Sequence, residues 1–279
     1  MAFRRERMWT VTRTELKQLV QAKDFWVPMA LLGGIFFIVI PAVMLLIING
    51  IGNQQAVQEV SKSLDLLPKS AMQAAPKGIP PEALVSWAIA VYLLAPVAVV
   101  VPLTISSAVG ASTIVGERER GTGEFLAHTP ADTREIYLGK LLASLVPGYL
   151  TTVVGFGAYS ILVNVMLIGK IGYVFFPTPA WWILILWELP PFIAIALSLV
   201  LRLSARVKST AAAQQATGLV TLPLILIGYG QSTGALAGGD TVRIGLYLGA
   251  FAWLVAIVSL ATGVRSIKRN ALLGVANEG

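Results

Sequence analysis

The chain of 279 residues is 56% hydrophobic and only 13% charged, and it contains no cysteine. Soluble domains carry about 25% charged residues, so this composition and a mean hydropathy of +0.76 exclude an ordinary soluble domain and indicate a membrane protein. The lack of cysteine excludes a disulfide scaffold and a thiolate metal site. The formal net charge of +7 would suit nucleic acid in a soluble protein, but here the placement of the basic residues indicates membrane topology.

The N-terminal residues 1–24 predict an amphipathic helix. Several side chains recur at helical spacing with basic residues around them, namely Trp9, Thr12, Leu16, Leu19 and Lys23. We expect this helix to lie in the headgroup layer before the chain enters the membrane. The alternative is a frayed basic tail, which would have no need of Trp9 and Leu16 on one face.

Six apolar stretches are long enough to cross a bilayer, at residues 27–48, 87–115, 136–167, 180–201, 211–229 and 244–264. A crossing takes roughly 20 residues at about 1.5 Å each. The second and third stretches are longer and contain prolines, so we expect them to tilt or kink. Most of the 21 lysines and arginines fall on one side of the membrane if the N-terminus is cytosolic. The sequence therefore predicts an all-α polytopic membrane protein with six transmembrane helices and both termini in the cytosol.

We expect residues 1–279 to form a single membrane domain. Residues 49–86 are the longest outer segment, and apolar residues at helical spacing predict a short surface helix within it. That segment is either a lid over an exit or a packing element, and the sequence favours neither. No inverted repeat of the kind that many secondary transporters carry is visible in the sequence.

A charged insert, residues 116–135, separates the second and third predicted spans. Gly121 permits a sharp change of direction, and Thr122 fits the cap of a short helix. Pro130 ends that helix. The insert is therefore predicted to be a bend, a short cytosolic helix and a break, joining two long membrane helices.

The residues around the break predict both a new helix and a contact. Asp132 and Glu135 have the spacing of a capping box, which predicts that the third span begins there. Phe125 and Leu126 make the tip of the insert apolar, which indicates a docking surface for a soluble partner. The alternative is an ordinary solvated loop, which has little use for these two apolar side chains.

The insert and the start of the next span contain a recognisable motif, made of Glu117, Arg118, Glu119, Gly121, Thr122, Glu124, Leu126, Thr129, Pro130, Ile136, Gly139 and Lys140. This motif resembles the signature of the membrane-spanning permeases of type-2 ABC exporters. The N-terminal segment also resembles the opening of that family, with Glu15 and Leu16 in matching places. The chain departs from the family at Phe125, where an aliphatic residue is expected, and in an outer segment smaller than that of sodium exporters.

The resemblance implies a permease subunit that forms half of a translocation pathway in the plasma membrane. It implies a second permease copy, most simply in a homodimer, and two copies of a separate ABC ATPase that binds ATP and Mg. The residues implied to couple to that ATPase are Glu15, Glu117, Arg118, Glu119, Gly121, Thr122, Glu124, Phe125, Leu126 and Pro130. The chain has no Gly-x-x-x-x-Gly-Lys-[Ser/Thr] phosphate loop, so we expect no catalysis of its own and no cofactor in this chain.

Few polar residues fall inside the predicted spans. Glu188 is the only acid placed within one, so it is either a pathway residue that binds a cation or a structural partner near a proline kink. Asn164, Gln214 and Gln215 are either further pathway residues or helix-packing contacts. The single histidine, His128, has no second ligand nearby, so no metal site is predicted.

Two other classes of protein compete with a permease. A carrier or channel driven by an ion gradient would need no ATPase, and a membrane-embedded enzyme would need paired acids or a nucleophile with its base, which the spans lack. The substrate of an exporter would be an apolar or amphipathic compound such as a drug, lipid or peptide. A cation stays open as an alternative because of Glu188.

Overall fold

The protein, represented by a computed structural model, is described at residues 3–50, 73–116, 130–204, 210–232 and 240–266. Within those ranges the regular structure is helical. The helices are α1 (Arg5–Gln21), α2 (Lys23–Ile48), α3 (Pro81–Val115), α4 (Thr133–Ile171), α5 (Pro179–Leu203), α6 (Thr210–Ser232) and α7 (Thr241–Ser266). Most of the predicted outer segment, and the predicted surface helix within it, lies outside the described residues.

Five of these helices, α2 to α5 and α7, are long and apolar enough to cross a membrane. Each contains one of the predicted stretches and extends it at the ends, because polar residues and prolines continue the helix beyond the apolar part. Helix α3 begins at Pro81 rather than at Trp87, since proline is well suited to the first position of a helix. The sixth predicted stretch falls in α6, whose side chains are only partly described and whose apolar part is Thr221–Gly230. A sixth crossing stays a prediction.

Helix α1 ends at Gln21, and Lys23 already begins α2. The series that runs from Trp9 to Lys23 is therefore split between two helices, which differs from the single predicted helix. The side chains of α1 that are buried in the fold are Thr12, Glu15 and Leu19, whereas Trp9 is 60% exposed. A position in the headgroup layer stays a prediction for the exposed side of α1.

Proline explains three widened, π-helical turns in the spans. These turns are Ile35–Val39, Ile89–Leu93 and Leu184–Glu188, and each lies just before a proline, at Pro41, Pro96 and Pro190. Proline has no N–H to donate, and its ring pushes away the carbonyl four residues earlier, which favours an opened turn before it. Pro147 of the third stretch, in contrast, lies inside an uninterrupted α-helix. The kinks expected at the prolines stay predictions.

The widened turn in α3 frees two backbone carbonyls, which two aromatic side chains satisfy. The Leu94 N–H donates to the carbonyl of Ile89, one residue further back than in an α-helix. The Tyr159 hydroxyl donates to the carbonyl of Ala90 at 2.6 Å, and the Trp181 indole N–H donates to that of Val91 at 2.8 Å. The widened turn of α3 is therefore fixed to both α4 and α5.

Helices α3 and α5 form the centre of the fold. Their most apolar windows are 72% and 67% buried, against 28% for α2, 33% for α4 and 22% for α7. Helix α4 crosses α3 at Gly148, where an added Cβ would lie 2.6 Å from the carbonyl oxygen of Pro102. The outer helices therefore present long apolar faces away from the core, as a membrane protein requires.

Candidate functional site

A buried ion pair joins α1 to the two helices that flank the charged insert. The Lys140 side chain on α4 is fully buried, and its Nζ lies 2.9 Å from Oε1 of Glu15 on α1. The same Nζ donates to the carbonyl of Thr113 at 2.6 Å, close to the end of α3. A helix leaves its last carbonyls without intrahelical partners, and a cation is favoured there. We call Glu15, Thr113 and Lys140 the buried junction.

A close backbone approach brings α1 against α4 beside the buried junction. The Thr12 hydroxyl, which is fully buried, lies 3.2 Å from the carbonyl of Gly139 and donates to it. A Cβ added at Gly139 would lie 2.8 Å from Cβ of Val11 and 3.0 Å from the carbonyl oxygen of Met8. Glycine is thus required at position 139 for α1 to lie this close.

The first turn of α4 holds the N-terminal chain in place as well. The Asp132 side chain accepts a hydrogen bond from the Thr133 N–H at 2.8 Å, and the Glu135 side chain accepts one from the Asp132 N–H at 2.9 Å. The predicted capping box is therefore confirmed. The fully buried Glu135 carboxylate also accepts from the backbone N–H of Arg4 at 2.7 Å. One carboxylate thus joins the start of α4 to the start of α1.

Pro130 is the described residue of the insert that follows the gap at residues 117–129. Its side chain is exposed, and its carbonyl oxygen accepts a hydrogen bond from Nη1 of Arg7 at 2.6 Å. The chain on the α4 side of the insert is therefore held by α1. On the α3 side, the Thr113 carbonyl is held by Lys140. The two sides of the insert are therefore held to α1, one directly through Arg7 and the other through Lys140 and Glu15.

The other predicted coupling residues of the insert, Glu117, Arg118, Glu119, Gly121, Thr122, Glu124, Phe125 and Leu126, lie outside the described residues. The short coupling helix between them stays a prediction. Glu15 is described, and its carboxylate is turned toward Lys140 inside the fold. A direct contact between Glu15 and an ATPase also stays a prediction.

Family comparison identifies the kind of protein to which this arrangement belongs. Residues 9–268 match the family model described as ABC-2 family transporter protein. The chain belongs to the ABC-2 transporter family. The resemblance found in the motif is thereby confirmed, and the chain is a multi-pass membrane permease. Members of this family are generally non-catalytic and typically partner with ATPase subunits. No curated protein matches the chain.

The structure of this ABC-2 permease places Glu188 deep in the bundle. Its side chain is fully buried at the end of the widened turn of α5, about 13 Å along the axis from Pro179. Among the described residues, no group forms a hydrogen bond with either carboxylate oxygen. A buried polar atom without a partner is costly, so this carboxyl group requires an explanation that packing alone does not supply.

The other polar residues predicted to line a pathway have different positions. The Asn164 amide donates to the carbonyls of Ser160 and Phe176 at 2.8 and 2.6 Å, and its oxygen accepts from the Phe175 N–H at 3.1 Å. This side chain therefore holds the loop between α4 and α5. Gln215 is exposed, and the Gln214 side chain lies outside the described residues. Substrate contact by these three residues stays untested.

Sequence reasoning did not find a second polar cluster, at the same end of the permease as the buried junction. The Tyr137 hydroxyl on α4 lies 3.1 Å from Oγ of Ser198 on α5, and Ser198 donates to the carbonyl of Ser259 on α7 at 2.9 Å. Arg202 also donates to the Ser259 carbonyl and, at 2.6 Å, to the Thr262 hydroxyl. The cluster ties three helices together, and its members are too far apart in sequence to be recognised as a set.

Proposed function

We propose that this chain is the membrane-spanning subunit of an ATP-driven exporter, and that the charged insert couples it to a separate ATPase subunit. The observation that carries the proposal is the buried junction together with its neighbouring hydrogen bonds. They fix α1 and both ends of the insert to one another. A force applied to the insert would therefore be passed to α3 and α4 together, and not be absorbed by a loose loop.

The lengths of the flanking helices support this role. Helix α4 has 39 residues and α3 has 35, which correspond to about 58 and 52 Å at about 1.5 Å per residue. The hydrocarbon core of a bilayer is only about 30 Å thick. Both helices thus extend beyond the lipid even when tilted, so a soluble partner can reach the insert. Movement of the insert would in turn shift the buried halves of both helices.

Charge places the insert on the cytosolic side in this proposal. The N-terminal segment is rich in arginine and lysine, and the insert adds the arginines Arg118, Arg120 and Arg134, which favours the cytosol for both. The contacts of Arg4 and Arg7 with Glu135 and Pro130 put these two segments at the same end of the bundle, consistent with that orientation. The ATPase, with its ATP and Mg, would bind from that side.

The chain would supply half of a translocation pathway in the plasma membrane, and a second copy would supply the other half. The apolar faces of α2 and α7, whose most apolar windows are 28% and 22% buried, leave ample surface for lipid and for another permease chain. The buried surface of α3 and α5 is mainly aliphatic and aromatic. An apolar or amphipathic substrate is the class that such a lining favours.

Co-purification tests the proposal. A tagged permease isolated from its native membranes should bring with it an ATP-binding subunit, detected by photolabelling with an azido analogue of ATP. Phe125→Asp puts a charge on the proposed docking tip and should abolish that co-purification while leaving thermal stability unchanged. The matched control is Tyr173→Asp, which adds the same charge at an exposed position in the loop at the other end of α4.

The outcome separates the alternatives clearly. Retention of the ATP-binding subunit in Tyr173→Asp and its loss in Phe125→Asp support the proposal. If the wild-type chain brings down no ATP-binding subunit, or if Phe125→Asp retains it in full, the insert is not the coupling element. A carrier driven by an ion gradient would give the first of these two negative results.

A further inference from the structure

The Glu188 carboxyl group lies in a part of the fold that faces other helices and not lipid. Leu184, Glu188 and Phe192 are spaced four apart, so they share one face of α5. A Cβ built at Gly228 of α6 would lie 3.6 Å from the Phe192 ring, 3.7 Å from Leu184 and 3.0 Å from Val99 of α3. The face that carries Glu188 therefore looks into the contact between α3, α5 and α6.

Ionisable groups on the packed helices do not supply a partner within the described ranges. The parts of α3 that contact α5 are Val97–Ala111, which contains no ionisable residue, and the widened turn before it, which contains Tyr92. Helix α6 contains Tyr229. Neither tyrosine forms a hydrogen bond with Glu188, because its carboxylate oxygens have no hydrogen-bond partner among the described residues. Helix α7 contributes Arg243, Tyr247 and Arg265, and all three are exposed, so they point away from the bundle centre.

The ionisable residues of α4 are occupied elsewhere. Lys140 is bound to Glu15 and Thr113, and Glu135 accepts from two backbone N–H groups. Tyr137 and Tyr159 contact Ser198 and the Ala90 carbonyl. Tyr149 is partly buried, and Lys170 lies 4.0 Å from Glu82 at the other end of α4. On α5 itself, Arg202 is bound to the polar cluster about 21 Å along the axis from Glu188.

The surroundings of Glu188 limit what can neutralise it. An ionised carboxylate without a partner in an apolar interior costs several kcal/mol, so the group must hold a proton or face a positive charge. Inorganic cations such as Ca²⁺ require about six or more oxygen ligands, and Mg²⁺ a complete octahedron. Leu184 and Phe192, which share its face of α5, and Val99 and Gly228, which pack against that face, offer no side-chain oxygen.

A lipophilic organic cation meets all of these conditions. Its single delocalised charge needs one carboxylate and no shell of oxygens, and its apolar body fits aliphatic and aromatic walls. The Phe192 ring, one turn from Glu188, is placed to add a cation–π contact.

We propose that Glu188 is the binding residue for a lipophilic organic cation at the contact of α3, α5 and α6. In the absence of the cation the carboxyl group holds a proton. When the cation binds, the O–H bond breaks, the proton passes to water and the carboxylate faces the cation, so the site is neutral in both states and no redox step occurs. The inference rests on the proposed function, because a translocation pathway gives such a cation its access to this depth.

Equilibrium binding of tetraphenylphosphonium to the purified full-length chain tests this site. The chain is placed in nanodiscs of zwitterionic lipid, with empty nanodiscs as the blank and tetraphenylborate as an anion of the same shape. We expect saturable binding of the cation, one proton released per cation bound, and no saturable binding of the anion. Because protons compete with the cation, lowering the pH should weaken its binding by up to about tenfold per unit.

Variants connect that binding to a single side chain. Glu188→Gln has the shape of the protonated acid and cannot ionise, so it should bind tetraphenylphosphonium about 30-fold more weakly or worse. The control Glu82→Gln removes a partly exposed acid from the start of α3 and should bind as the wild type does. Glu188→Asp keeps the charge on a shorter side chain, so it should bind more weakly but still release one proton.

Each alternative outcome overturns the inference. These outcomes are wild-type binding no greater than that of empty nanodiscs, equal binding by Glu188→Gln, and binding without proton release. If Glu188→Gln does not fold, proton release by Glu188→Asp decides, and its absence overturns the inference. No ATPase is present in this experiment, so its failure is distinct from a failure of the permease to recruit an ATPase.

Discussion

Replacement of Lys140 by methionine should release α1 from the permease. The substitution keeps an apolar stem of similar length but removes the Nζ that binds Glu15 at 2.9 Å and the Thr113 carbonyl at 2.6 Å. The Glu15 side chain, only 10% exposed, would keep its negative charge without the ammonium group beside it. Loss of one partner of a buried pair costs about 3–5 kcal/mol, and we take about 3 kcal/mol because Glu15 lies near the surface.

The absence of native cysteine gives a direct assay of this release. Leu19 on α1 is 8% exposed, so a Leu19→Cys reporter should react with a maleimide only when α1 leaves α4. A cost of about 3 kcal/mol raises the population of the open form, and hence the labelling rate, by about 100-fold. The control Lys17→Met removes an exposed lysine from the same helix and should leave the rate unchanged.

The double variant Glu15→Met, Lys140→Met separates a buried charge from general damage. With both charges removed, the contact becomes apolar, and the labelling rate should return most of the way to that of the wild type. The remaining loss should be about 1 kcal/mol, since the Thr113 carbonyl loses its donor. Equal rates for Lys140→Met and Lys17→Met, or a double variant as fast as the single one, would refute the reasoning.

Two further changes test the fit of α1 and the outer loop. Gly139→Ala places a methyl group 2.8 Å from Cβ of Val11 and should lower the free energy of unfolding, measured by thermal unfolding, by about 1–3 kcal/mol. The control Gly157→Ala lies on the same helix with open space around it and should cost nothing. Similar losses in both variants would contradict the close contact. Asn164→Leu removes the hydrogen bonds to the backbone of Phe175 and Phe176, so the loop between α4 and α5 should become cleavable by a protease added to the outer side. A loop that stays uncut would contradict this prediction.

Local patterns in the sequence predicted the parts of the fold that depend on neighbouring residues. Long apolar stretches predicted the five membrane-length helices, because a span must satisfy its own backbone hydrogen bonds. The capping box of Asp132 and Glu135 followed from residues three apart in the chain. The prolines marked three places where the structure has a widened turn, although the widened turns themselves were not predicted, since their geometry depends on which carbonyls other helices can satisfy.

Contacts between distant parts of the chain could not be predicted in the same way. Glu15 and Lys140 are 125 residues apart, and each was noted only for its place in a motif. Two of the three buried side chains of α1, Thr12 and Leu19, belong to the predicted series, whereas the burial of Glu15 was not predicted. The role of Asn164 could not be predicted for a related reason. The same polar side chain in a span can pack against another helix, hold a loop or line a pathway, and the sequence does not distinguish these roles.

The most direct test of the central claim is the accessibility of the insert from each side of the membrane. In the cysteine-free chain, Ala127→Cys would be the only thiol, and a membrane-impermeant maleimide reports its exposure. The account predicts labelling in inside-out vesicles alone, and protection there once the ATPase subunit is added back. Labelling in right-side-out vesicles, or equal labelling with and without the ATPase, would contradict the account.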